Sequence, residues 1–482
     1  MTEKIRRVGS NEAVTVAGGG LAGSEAAWQL ASRGIRVKLF EMRPVKKSPA
    51  HSTGELAELV CSNSLGADRP TSPAGILKEE LRKLGSLIMS CAEKARVPAG
   101  GALAVDGRIF SGLVTEAVTC NPNIELIREE VCRIPEGPAI LAVGPLMGES
   151  IARSIKDVVG EDCLSFFDAA APIVTLDSVD MNRAYRAGRY GQCGDYINCP
   201  LDKEQYEAFQ RELASAERAQ QHIARGTKKP RYFEGCLPVE VMAERGLDTL
   251  RYGPMRPVGL PDPSNGKIPY AVVQLRRSDA EGTLYGMVGF QTNLKWPEQD
   301  RVFRMIPALE NAELVRKGVM HENAFVCAPR VLDRFMRPRN GGVVAREDLF
   351  LAGQITGVEG YVESTASGLA AALNMSALLL GRPMPEWPAE TAIGSLLRYL
   401  STAEPKSFQP MNVNLGIFPP FDDQGLKKLK KTPGGKKLTK QERSLMFAER
   451  SAAALEKFLD ENSRNACNPQ PDIIHLGNER RE

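Results

Sequence analysis

Near the start of the chain, apolar and polar positions alternate in short blocks. Ala13 to Ala17 (AVTVA) is a β-branched run that predicts a buried strand. Gly18-Gly19-Gly20-Leu21-Ala22-Gly23 follows, and Ser24 to Arg33 (SEAAWQLASR) then reads as a helix stopped by Gly34. A second strand is predicted from Ile35 to Phe40, ending at Glu41. The strand-then-glycine pattern returns at Ala139-Ile-Leu-Ala-Val-Gly144-Pro145 and again at Asp348-Leu-Phe-Leu-Ala-Gly-Gln-Ile-Thr-Gly357. The second of these leads through Val358-Glu359-Gly360-Tyr361 into a small-residue helix from Ser364 to Leu380. Between the two, the texture changes. Short β-like runs (Ile173 to Asp177, Tyr270 to Leu275, Leu284 to Phe290) flank a helical run predicted from Lys203 to about Arg225, opening after Pro200. Beyond the MPEWP run, Ile393 to Ala403 reads as helical. A last helix is predicted from Lys440 to about Asn462, with Thr439 and Glu442 at capping-box spacing.

This order predicts an α/β chain with a discontinuous sheet domain. Residues 1–165 and 341–401 would form it, 166–340 would be an inserted α+β domain, and 402–482 a basic, helical C-terminal segment with a mobile tail after Asn465. There is no run of 18 apolar residues, so no membrane span is predicted. The first residues carry no apolar stretch ahead of a cleavage site, so no signal peptide is expected.

The first glycine turn matches G-x-G-x-x-G, and each part has a physical reason. Gly18 allows the tight turn, Gly20 lets backbone approach a pyrophosphate, and Gly23 lets helix and strand pack closely. Gly19, Leu21 and Ala22 complete a helix start whose free amides and positive dipole end suit phosphate. Glu41 stands where a carboxylate can accept from ribose hydroxyls. A dinucleotide site is the consequence. The second turn, with Gly353, Glu359 and Tyr361 before a long helix, favours FAD over NAD as the resident nucleotide, because two-part flavoproteins close their nucleotide domain in this way. The sheet domain is therefore read as Rossmann-type and FAD-binding.

Composition adds limits. Hydrophobic residues are 43% and charged residues 25%, ordinary for a globular chain, and the net charge of +3 identifies no polyanion partner. Ten cysteines lack any C-x-x-C pair and the four histidines are far apart, so no metal site is expected. Unpaired thiols in a chain of this length suggest a reducing cytoplasm. Two cysteines sit in polar or glycine-flanked turns: Cys61 in Val-Cys-Ser-Asn-Ser, and Cys236 in Phe-Glu-Gly-Cys-Leu-Pro beside Glu234. Positive charge gathers between Lys427 and Arg443, where Lys427, Lys428, Lys430 and Lys431 lead a run opposed by Glu442 alone. Such a run is either a solvated surface or a phosphate-tracking patch.

Several runs carry a resemblance. Cys61-Ser-Asn-Ser-Leu65, Val97 to Val105, Phe233 to Pro238, Val288 to Thr292, Gln354 to Glu363 and Phe408 to Asn412 resemble the methylenetetrahydrofolate- and FAD-dependent tRNA (uracil-5-)-methyltransferases, the TrmFO family. The likeness runs from about residue 13 to about residue 462, with Asp106-Gly-Arg-Ile-Phe departing slightly and the tail unmatched. It implies methylation of a T-loop uridine in tRNA, with 5,10-methylenetetrahydrofolate as carbon donor and FAD reduced by NADPH or NADH. It implies Cys236 as nucleophile on uracil C6 and Cys61 as an auxiliary group, with the two parts interchangeable on sequence alone. The lysine run would meet RNA phosphates, and His51 and His321 are candidates to contact the pterin. Other readings are the same chemistry on ribosomal RNA, a flavin disulfide reductase or NAD(P)H oxidase, and a non-enzymatic RNA-binding flavoprotein. The reductase lacks a paired-cysteine motif, and the last leaves both turn cysteines unexplained. The related family that modifies the wobble uridine has a longer chain.

Overall fold

The computed structural model describes residues 13–48, 50–160, 164–191, 194–219, 237–341, 343–421 and 439–465. Five parallel strands form one sheet, ordered Leu349–Leu351, Ala139–Leu141, Val14–Ala17, Val37–Phe40 and Ile124–Ile127. Its central strands are apolar without alternation, because a parallel sheet is covered on both faces. Val14, Val16, Ile140, Leu141, Leu349 and Phe350 are all buried. The edge strand comes from the last third of the chain, which makes this domain discontinuous as the glycine pattern predicts.

The helix after the first turn spans Leu21–Ala31, so it includes Gly23 and starts three residues before the predicted Ser24. It packs against the late helix Tyr361–Leu379 at a distance that admits no side chain. A Cβ on Gly368 would lie 2.1 Å from the Ala22 carbonyl oxygen, and one on Gly23 would lie 1.8 Å from that of Gly18.

Six antiparallel strands form a second sheet, ordered Tyr185–Arg186, Tyr196–Leu201, Ala271–Arg277, Leu284–Met287, Ile173–Thr175 and Leu314–Arg316. One face of it, with Ile197, Cys199, Val273 and Leu275, packs with Tyr206, Phe209 and Leu213 of the helix Lys203–Ser215 into a separate core. That helix ends ten residues short of the predicted Arg225. Ala216 turns extended and Ala219 donates to the Asn293 carbonyl at 2.8 Å, so pairing with a distant segment overrides local helical tendency. Residues 220–225 lie outside the described set.

Polar contacts join the two units. Asn63 Nδ2 donates to the Arg277 carbonyl at 2.9 Å, and Tyr196 Oη donates to that of Ala99 at 3.1 Å. Asp106, in the segment that departs from the family pattern, caps the helix Gly107–Thr119 and also accepts the Ala280 amide at 2.7 Å.

The C-terminal part packs on the parallel-sheet domain, with Phe408, Val413, Phe418 and Phe447 in the same core. The last helix is Lys440–Asn465, and Thr439 and Glu442 form the reciprocal cap that their spacing predicts. Glu80 fastens this region. Its buried carboxylate accepts the amides of Ala392 (2.6 Å) and Ile393 (2.9 Å) and the Ser451 hydroxyl (2.5 Å). Glu80→Ala leaves three donors unmet where water does not reach, each worth about 1–3 kcal/mol. A destabilisation of roughly 3 kcal/mol is expected, seen as a lower denaturant midpoint. An unchanged midpoint would show that the last helix docks without it.

Candidate functional site

A cavity of about 560 Å³ lies where the two glycine turns meet. Gly18, Gly20, Leu21, Ala22 and Glu41 line it from the first half of the motif, and Gly353, Glu359 and Tyr361 from the second. Residues more than 300 positions apart in the chain are thus brought to one wall. Two helices, Leu21–Ala31 and Tyr361–Leu379, start at this cavity, with Gly20 and Gly360 as their N-caps. Neither cap residue has a side chain to close the free amides, and the first helix has no acid in its first turn. The first end therefore presents positive potential to the cavity, while the second carries Glu363 in its first turn.

The glycines divide by what surrounds them. Gly18 holds φ +104°, and a Cβ there would meet the Ala142 carbonyl oxygen at 2.2 Å. A Cβ on Gly20 would meet no protein atom within 4 Å, so its open side is the cavity itself. Gly19 and Gly23 do not line the cavity. Gly19 donates its amide to Glu41 Oε2 at 2.9 Å, and Gly23 serves the close helix–strand approach.

Glu41 is already engaged. Its Oε1 accepts from the Arg43 amide (3.0 Å) and Arg43 Nε (2.8 Å). Burial pushes its carboxyl up, but the Arg43 hydrogen bonds and charge outweigh that and hold it below the usual range. A carboxylate has about four acceptor positions, so one is left for a ligand hydroxyl. Arg43, almost fully buried and also bridging to Glu58 at 3.2 Å, was not legible in the motif. A cation two residues past the ribose acid is the signal that could have found it.

At the other end, Cys61 lines the cavity. Its Sγ lies 3.5 Å from the Ala169 carbonyl, and its amide donates to Tyr361 Oη at 2.8 Å. The inserted sheet reaches this turn through Arg316, which donates to the Val60 carbonyl at 2.6 Å, and through Arg276, which donates to Asn63 Oδ1 at 3.2 Å. Elsewhere in the chain, burial pushes the thiols of Cys91 and Cys199 up to about 12. His51 also lines the cavity, with Nδ1 2.5 Å from Ser48 Oγ. Cys236, Lys427, Lys428, Lys430, Lys431 and the His321 side chain lie outside the described residues.

Glu363 is a cavity residue that the sequence reading missed. Its Oε1 accepts the Val413 amide at 3.0 Å, and burial pushes its carboxyl up to about 7 despite that bond and the nearby Lys78 charge. Lys78, likewise buried, is pushed down to about 8. A carboxyl with a raised pKa supports the fold while neutral. That support is full below about 4.5 and is lost as pH rises through about 7. Glu363→Gln keeps a neutral acceptor throughout. Wild type should therefore lose melting temperature relative to this variant between about pH 5 and about pH 8. Parallel melting curves would show that Glu363 does not titrate there.

No group of three metal-type ligands occurs among the described residues, and none of their helices is long and apolar enough to cross a membrane.

Parallel sheet, paired glycine turns and an antiparallel insertion contacting the thiol turn define a two-part dinucleotide-binding protein. A family model described as Glucose inhibited division protein A matches residues 13–383. The methylenetetrahydrofolate–tRNA-(uracil-5-)-methyltransferase TrmFO of Listeria monocytogenes serotype 4b is 52% identical over 93% of this chain and 99% of that protein. The protein of the same name from Acetivibrio thermocellus is 56% identical over 85% of this chain and 92% of its own. Among solved structures, Aquifex aeolicus GidA in its form I crystal shares the fold with a TM-score of 0.62 at 16% identity, over 94% of this chain and 78% of that one. The chain belongs to the TrmFO family.

Proposed function

We propose that this chain methylates C5 of a uridine in the T-loop of tRNA, in the cytoplasm, with 5,10-methylenetetrahydrofolate as carbon donor. FAD is its resident cofactor, and NADPH or NADH is the source of electrons. The observation that carries this reading is the convergence of two uncapped helix N-termini and the Cys61 thiol on one cavity, in a chain whose relatives bear the name of this activity.

The residues present fit FAD. Gly20 leaves open the space that a pyrophosphate needs, the Leu21–Ala31 amides face that space, and Glu41 has an acceptor position for a ribose hydroxyl. Bound there, FAD supplies hydride chemistry that no side chain provides.

Uracil C5 becomes a carbon nucleophile once a group adds at C6, and a soft, partly ionised thiolate suits that addition. Cys236 takes this part. The setting of Cys236 in the glycine-flanked Phe-Glu-Gly-Cys-Leu-Pro run and the family resemblance support this assignment. Cys61 takes the proton from C5, its turn steadied by Tyr361, Arg276 and Arg316. Lys427, Lys428, Lys430 and Lys431 meet RNA phosphates. Mass mapping of 5-methyluridine in cells lacking the protein tests the reading. Loss from the tRNA T-loop with ribosomal RNA unchanged is expected. Loss confined to ribosomal RNA would redirect the substrate, and no loss anywhere would end the proposal.

A further inference from the structure

The inserted sheet has two unlike faces. Ile197, Val273 and Leu275 enter its core, while the alternate positions Tyr196, Asn198, Gln274 and Arg276 lie on the other side. There Tyr196 pairs with Arg276 and Asn198 with Gln274. Three guanidinium groups along this face make no ion pair with a carboxylate among the described residues. Arg276 reaches Asn63 Oδ1 at 3.2 Å and Ser62 Oγ at 3.4 Å, in the turn that holds Cys61. Arg189 is held by the carbonyls of Val258 (2.7 Å) and Arg256 (2.8 Å) and by Gln274 Oε1 (2.9 Å). Arg256 is exposed, and its charge adds to burial in pushing Arg189 below its usual range. Nearby acids are engaged elsewhere. Asp195 accepts the Gly100 amide at 2.7 Å, and Asp262 accepts from Ser264 and Asn265 in its own turn.

Tyr190 stands at the outer end. Its backbone is left-handed, with φ 59° and ψ 37°, which a bulky residue rarely adopts. Its amide donates to the Gly259 carbonyl at 2.9 Å, and a Cβ on Gly259 would lie 2.9 Å from the ring. One face of the ring thus rests on bare backbone, yet the residue is 70% exposed.

Along the middle of this face Asn198 and Gln274 are buried and Arg276 is turned onto the Cys61 turn, so the open part is its outer end. We infer that this outer end seats an unpaired strand of RNA, with a base stacked on Tyr190 and phosphates at Arg256 and Arg189. Guanidinium groups without carboxylates call for anions, and an open aromatic face in line with them calls for a flat, sequence-tolerant partner. An acidic peptide would answer the charges and leave the ring uncovered; a nucleotide strand answers both. The inference rests on the RNA-modifying reading above.

The test uses the full chain with its flavin and a fluorescently labelled, unmodified tRNA transcript, with binding measured across a salt series. Tyr190→Leu is expected to weaken binding roughly 5- to 150-fold, with Tyr190→Trp close to wild type. Arg256→Gln is expected to flatten the logarithmic salt dependence by about 0.7. Flavin content and melting temperature should be unchanged in all three. Wild-type binding and salt dependence in Tyr190→Leu and Arg256→Gln, in an enzyme that still methylates tRNA, would overturn this surface and leave the proposed function standing. Equal losses in the Leu and Trp variants would overturn the stacking role. A wild-type protein that binds no tRNA would overturn both.

Discussion

Gly20→Val is expected to give a folded protein that has lost its flavin. The backbone at Gly20 is extended, with φ −75°, so a β-branched residue meets no conformational penalty there. No protein atom lies within 4 Å of the new Cβ, so the core does not have to move. What the side chain does occupy is the mouth of the Leu21–Ala31 helix, where phosphate would lie against free amides. The dissociation constant for FAD should rise at least about tenfold, the effect of losing on the order of 1.4 kcal/mol of binding, and flavin absorbance per polypeptide after dialysis should fall accordingly. Circular dichroism and melting of the apoprotein should match wild type stripped of flavin. Gly18→Val and Gly23→Val make the control. Their Cβ atoms would lie 2.2 Å and 1.8 Å from backbone oxygens, so these variants should fail to fold. Full flavin in Gly20→Val would remove the first helix from the phosphate site.

Cys236→Ala is expected to abolish turnover while keeping FAD, because the residue belongs to the inserted stretch of sequence and to neither glycine turn. A covalent trap isolates the step. RNA carrying 5-fluorouridine at the target lets the thiolate add at C6, forming a sulfur–carbon bond, but C5 then holds fluorine in place of the proton that must leave. With reduced flavin and methylenetetrahydrofolate present, protein and RNA should remain joined, and peptide mapping should find the RNA on Cys236. The base must be turned out of a stacked loop first, so an unfolded loop should trap faster. Cys61→Ala should also lose turnover, and its cavity position makes reduced flavin content a second expected readout. An adduct on Cys61 would exchange the parts of the two thiols. No adduct, with normal turnover in Cys236→Ala, would defeat the nucleophile assignment.

Much of the fold could be read from periodicity. Val14–Ala17, the glycine turn and the late Leu349–Leu351 strand announced a discontinuous sheet domain because local pattern and tertiary need agree at each of them. The cap at Thr439 and Glu442 was legible for the same reason. What stayed hidden depends on partners far along the chain. Nothing near Cys61 tells that Arg276 and Arg316 will grip its turn, and nothing near Glu363 tells that Val413 will cover it. The helix from Lys203 ended early because Asn293 offered Ala219 a backbone partner that no local propensity encodes. Arg43 lay two residues from a residue already singled out, yet its burial against Glu41 and Glu58 could come only from the folded chain.

The late edge strand and its helix set a problem of timing during synthesis. Ten of the eleven residues of Leu21–Ala31 are buried, many of them beneath the Tyr361–Leu379 helix. The two helices lie roughly 340 residues apart, and ribosomes add about 5–20 residues per second. The first helix therefore waits roughly 20–70 s for the partner that covers it. In that interval the nascent chain shows an apolar ridge and an unfinished sheet edge, the surfaces on which newly made chains aggregate. The insertion, with its own separate core, can close meanwhile. Nucleotide offered to the emerging chain should not shield the ridge, since half of its binding wall has yet to be translated.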